Sequence, residues 1–130
     1  MVKHKQQNRA LKLLKEYRAA LWRKAALEVI PGTNNKSLSV CIEQIQLTKD
    51  LVETLKSDVQ LGEKMIWILH ATFMTDKQPG DIEEILTAIA VRHRRIPRRT
   101  YFRLKKQAIE RLNDYLEEKT LKRYAGKKAT

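Results

Sequence analysis

Cysteine, glycine and proline are scarce in this chain, with one Cys, four Gly and three Pro among 130 residues. The lone Cys41 excludes an internal disulfide framework, and a reducing compartment fits without being demanded. Its place in the apolar series Cys41, Ile45, Thr48, Val52 marks it as a core residue. With so few chain breakers, helix-favouring Leu, Ala, Lys, Arg, Glu and Gln fill long stretches, which points to helices. No apolar run approaches the ~20 residues that span a bilayer. Met1 to Arg9 lacks the apolar centre of a secretory signal, so a cytoplasmic protein is expected.

Catalytic equipment is missing as well. His4, His70 and His93 are far apart and hold no metal-ligand spacing with Cys41. No phosphate-cradling Gly loop occurs, and no Ser or Cys sits in a nucleophile motif. Neither an enzyme nor a cofactor or metal is expected. His70 reads as a core-edge residue, His93 as part of a basic turn, and Glu83 and Glu84 as capping and dipole-balancing carboxylates.

Charge, by contrast, is abundant: 32% of residues are charged against 42% apolar, and 27 Lys and Arg outnumber 15 Asp and Glu to give +12. Its distribution matters more than its total. Residues 1–24 carry eight cations and one acid, a net of +7, and residues 25–91 are acidic at −5. Residues 92–106 carry eight cations and no acid at all, and residues 107–130 return to +2. A solubility device would intersperse the signs; two local basic fields suit a polyanion. Nucleic acid is the leading partner and an anionic membrane surface a distant second.

Apolar spacing predicts about five helices in a small all-α bundle. Leu11, Leu14, Tyr17, Leu21 and Ala25 recur at steps of three and four from Gln6 to Val29, opposite a basic face. Ile30 to Asn35 collects turn formers and ends that helix. Cys41, Ile45, Val52 and Leu55 predict a second helix over Leu38–Ser57, with a break near Gly62. Leu61, Met65, Ile68, Leu69 and Thr72 predict a third, the most buried, closed by Pro79 and Gly80. Asp81 followed by Glu84 reads as a capping box that opens a fourth helix, with the stripe Ile82, Ile85, Leu86, Ile89. Pro97, favoured in a first helical turn, marks the start of the fifth. The expected organisation is an N-terminal helical region over 1–78, a helix-turn-helix over 79–118 and a flexible basic tail over 119–130, within one compact unit.

On a wheel of the fifth helix, Tyr101, Leu104, Ala108, Ile109, Leu112, Tyr115 and Leu116 face the core, and Arg99, Thr100, Arg103, Lys106, Gln107 and Glu110 form a working face. Lys105 falls inside the apolar arc, and its stem is expected along the core edge with the ammonium reaching out. A short apolar-faced helix, a turn, and a longer helix that begins with clustered Arg is the outline of a helix-turn-helix, whose second helix enters the major groove. Arginine binds phosphate bidentately and also pairs with O6 and N7 of guanine. Base-contacting roles are therefore assigned to Arg99, Thr100, Arg103 and Lys106. Phosphate-contacting roles go to Arg92, Arg94, Arg95, Arg98 and Lys105, and Tyr101 and Phe102 to core or rim.

The stretch Ile85–Ala90 and Ile96–Leu112, most specifically Arg98, Thr100, Tyr101, Phe102, Arg103, Lys105, Ala108 and Leu112, resembles the C-terminal region of ArpU-type phage transcriptional regulators. That region is similar to region four of a sigma factor. The resemblance implies a phage or prophage regulator of late genes in a bacterial host cytoplasm, acting on promoter DNA with host RNA polymerase. Val91–Ile96 departs from the tidiest pattern in having no Gly, and Pro97 stands where a Ser or Thr cap is common. Two other readings stay open: a small packaging (terminase) subunit that binds DNA as an oligomer, and a basic adaptor for an acidic protein. A homodimer, the role of the basic first helix, the DNA site and the sign of regulation are left open by the sequence.

Overall fold

In a computed structural model, residues 9–30, 32 and 35–129 are described, with side chains left aside for Asn35 and 119–129. Five α-helices follow one another: α1 Arg9–Val29, α2 Asn35–Glu53, α3 Gly62–Phe73, α4 Ile82–Arg92 and α5 Arg98–Ala129. A 3-10 turn, Thr54–Ser57, extends α2. The all-helical class with five helices is as the sequence predicts, and no described residue lies in a strand. His4, the expected helix start at Gln6, and the turn formers Pro31, Thr33 and Asn34 lie outside the described residues. Gly32 takes a left-handed φ of 74° just past α1, a conformation that costs glycine little.

Boundaries differ from expectation in two places. The predicted second helix, Leu38–Ser57, begins three residues earlier and is α-helical only to Glu53, because its last turn tightens. That tightening lets Gly62 approach the carbonyl of Leu55, where an added Cβ would stand 2.0 Å from the oxygen. Only glycine can start α3 there. At the other end α5 keeps helical backbone to Ala129, through the tail expected to fray beyond Lys119.

The core forms around α3, which packs on every other helix. Met65, Ile68 and Leu69 of α3 are fully buried, and Leu14 of α1, Val52 of α2, Ile89 of α4, and Tyr101, Leu104 and Leu112 of α5 close on them. Burying each such side chain contributes roughly 1.5–3 kcal/mol before entropy is counted. A smaller cluster of Tyr17, Ala20 and Ile45 holds α1 against α2. Cys41 is buried in the same hairpin, as its spacing predicts.

Polar contacts fix how the helices meet. The Arg18 guanidinium donates from Nε to the Thr75 carbonyl at 2.9 Å, and from its NH2 nitrogen to the Thr72 carbonyl at 3.4 Å and the Thr75 hydroxyl at 3.1 Å. A cation on α1 thus satisfies the carbonyls left open at the C-terminus of α3. The backbone N–H of Ala10 donates to Asn113 Oδ1 at 2.8 Å, tying the start of α1 to the middle of α5. Asp58 accepts from the N–H groups of Gln60 and Leu61 and pairs with Arg111 of α5.

Candidate nucleic-acid interface

Local rules build the two helices that frame the basic segment. Asp81 caps α4, its Oδ1 accepting from Glu84 N–H at 3.0 Å, and Glu84 reaches back to accept from Gly80 N–H. The Asp81 half of the expected capping box is present, while Glu84 reaches one residue past the N-cap, to Gly80. α4 ends at Arg92, where His93 N–H donates to the Ile89 carbonyl at 2.9 Å. Five residues, His93–Pro97, then turn the chain into α5, and Tyr101 N–H donates to the Pro97 carbonyl at 2.9 Å in the first helical turn.

The turn holds its shape without glycine because two side chains pin it. Ile96 is 4% exposed and joins the core. His93 stacks on Trp67 of α3, with ring centroids 4.5 Å apart and planes 2° from parallel. α4 and α5 each pack on α3 more than on one another, so α3 sets the relation between them. Tyr101 strengthens that frame, its hydroxyl 2.8 Å from that of Thr72 on α3. Burial pushes the Tyr101 phenol up, against a smaller downward pull from that hydrogen bond.

With Ile96 and Tyr101 turned inward, the cations around them turn outward. Arg92, Arg94, Arg95, Arg98, Arg99, Arg103 and Lys106 are all exposed. None of them meets a carboxylate within ion-pair distance among the described residues; the three ion pairs there are Lys24–Glu28, Lys56–Glu53 and Arg111–Asp58. Arg99, Arg103 and Lys106 share one stripe of α5 and span about 10 Å of axis at 1.5 Å per residue. That length fits within a major groove about 12 Å wide. Arg111, one turn further on, is committed to Asp58 instead.

Two assigned residues of α5 are not fully exposed. Thr100 is half-buried at its flank, about 100° from Arg99 around the helix, and does not share its exposure. Lys105 is half-buried on the opposite flank, its ammonium 5.6 Å from the Phe73 ring centre and 5.9 Å from that of Tyr101. Its stem lies along the core edge, as expected. Burial lowers its pKa, and Lys15 across the groove lowers it further. Phe102 is a rim residue, 48% exposed, with the Arg98 guanidinium 5.9 Å over its ring.

His70 is exposed on α3 rather than a core-edge residue. The partial burial of its ring still lowers its pKa, Glu53 opposes that shift, and His93, Lys49 and Arg92 add to it. Sequence reasoning missed the Trp67–His93 stack and the approach of Lys15 to Lys105. Both depend on helix packing that no local spacing encodes.

Among the described residues no three His, Cys, Asp or Glu side chains gather as metal ligands, and no helix is long and apolar enough to cross a membrane. Comparisons of the chain with protein-family models, with curated proteins and with solved structures return no match.

Proposed function

We propose that the protein binds double-stranded DNA through the turn 93–97 and the first turns of α5, as a sequence-specific regulator. One observation carries this reading: seven exposed cations, Arg92 to Lys106, flank and follow a pinned turn, with no carboxylate at ion-pair distance among the described residues. Like charges so close repel one another, and a polyanion removes that cost. In this reading Arg99, Arg103 and Lys106 reach base edges, with Thr100 at their flank. Arg92, Arg94, Arg95 and Arg98 hold phosphates, and Lys105 does so from the groove beside α1. The resemblance of 85–112 to ArpU-type regulators supports control of phage or prophage late genes, with host RNA polymerase as a second partner.

The test is the salt dependence of binding to duplex DNA. With about six of the eight cations of 92–106 meeting phosphates, log affinity falls against log salt with a slope of about −5, at about −0.9 per contact. A slope near zero removes the reading. A discrete footprint on one promoter by a monomer or dimer supports regulation, and a ring of many subunits supports a packaging subunit.

A further inference from the structure

Beside the basic stripe lies a groove of about 490 Å³, walled by α1 and α5 and floored by Phe73 and Ile85. Three cations line it: Lys15, Arg18 and Lys105. Arg18 is spent on the carbonyls and hydroxyl at the end of α3. Asp81, the acid in the groove, caps α4. Glu16, next to Lys15 in sequence, accepts from Gln44 Nε2 of α2 at 3.4 Å. Lys15 and Lys105 thus line the same groove with no carboxylate at ion-pair distance among the described residues, and Lys15 adds to the burial that lowers the Lys105 pKa. Two ammonium groups lining one groove repel each other, and an anion between them relieves that repulsion.

The position of the pair says which anion. Ala10 bonds to Asn113, while Lys15, further along α1, faces Lys105, which precedes Asn113 on α5. α1 therefore runs antiparallel to α5, with Lys15 in the groove between them. This is where the sequence of α5 itself turns from basic to acidic at Glu110 and Asp114. Lys15 adds a cation from α1 beside the α5 stripe.

We propose that Lys15 and Lys105 together seat a backbone phosphate of the bound duplex, which makes α1 a second DNA-contacting element beside α5. The seat rests on the DNA-binding reading above and adds to it a contact outside residues 92–106. A phosphodiester suits it better than an acidic peptide because the neighbouring track, Arg98 to Lys106, is also unpaired and asks for a repeating anion.

Fluorescence anisotropy on a labelled 20-base-pair duplex, titrated with KCl, tests the seat. The proteins are wild type, Lys15→Gln, Lys105→Met, the double variant, and Lys24→Gln. Lys24 lies on the same helix but is ion-paired with Glu28. Loss of one phosphate contact predicts a slope shallower by about 0.9 in the double variant and affinity about 8-fold weaker at 100 mM KCl. Each single variant is expected to lose part of that affinity, equally on every duplex sequence, and Lys24→Gln to behave as wild type. A steep wild-type slope that the double variant leaves unchanged overturns the seat alone. So does an equal loss in Lys24→Gln, which would mean a diffuse field. A wild-type slope near zero overturns the DNA reading and the seat together.

Discussion

The hydroxyls of Tyr101 and Thr72 lie 2.8 Å apart and join the first turn of α5 to the last turn of α3. Tyr101 is 1% exposed and Thr72 half-buried, so the pair is largely screened from water. Tyr101→Phe is expected to cost about 1 kcal/mol in urea denaturation, since it leaves the Thr72 hydroxyl without its partner. Adding Thr72→Val should recover much of that loss, because removing both partners leaves no polar group stranded. An unaltered midpoint in Tyr101→Phe would show that the pair does not hold the helix.

Gly62 offers a sharper test of the packing. Its Cα faces the Leu55 carbonyl so closely that a methyl group cannot enter without moving backbone. Gly62→Ala is favoured by helix propensity by up to about 1 kcal/mol. The clash reverses the sign, and a net loss of about 2–3 kcal/mol is expected on chemical denaturation. A stabilised Gly62→Ala would contradict the close approach of the 3-10 turn to α3.

His70 makes stability depend on pH. Its folded pKa lies below the ordinary 6.5, so the unfolded chain binds the extra proton and its share of stability is kept above that value and lost as pH falls below it. The melting temperature should drop between pH 8 and pH 5, and His70→Gln should flatten the drop. Equal pH profiles for the two proteins would place the dependence elsewhere.

The basic residues divide by role. Arg99→Ala and Arg103→Ala should each weaken a specific site by about 1–3 kcal/mol while leaving random duplex less affected. Arg94→Ala and Arg95→Ala should weaken every sequence alike. Competition binding with specific and scrambled duplexes separates the classes, and equal losses for all four variants would leave a nonspecific binder.

Much of this architecture is legible in the sequence where one local rule acts alone. Asp81 with Glu84 marks the start of α4, Pro97 the start of α5, and the series Tyr101, Leu104, Ala108, Leu112 its buried face. The turn was harder to read, since Val91–Ile96 has no glycine to announce it. It is held by Ile96 in the core and by His93 on Trp67, a residue 26 positions away in sequence. Thr100 shows the limit of a wheel. It falls on the outward half of α5 by angle, yet it is half-buried. Lys15 stayed hidden for the same reason, because its partner Lys105 is set by the antiparallel packing of α1 on α5.

The seat of the duplex on the protein can be observed directly. Backbone amide shifts of isotope-labelled protein, followed by NMR as a 20-base-pair duplex is added, locate it residue by residue. The account predicts changes concentrated at 93–107, with a smaller set around Lys15 and none over α2. Changes centred on the acidic middle of the chain, or none at saturating duplex in low salt, would contradict it.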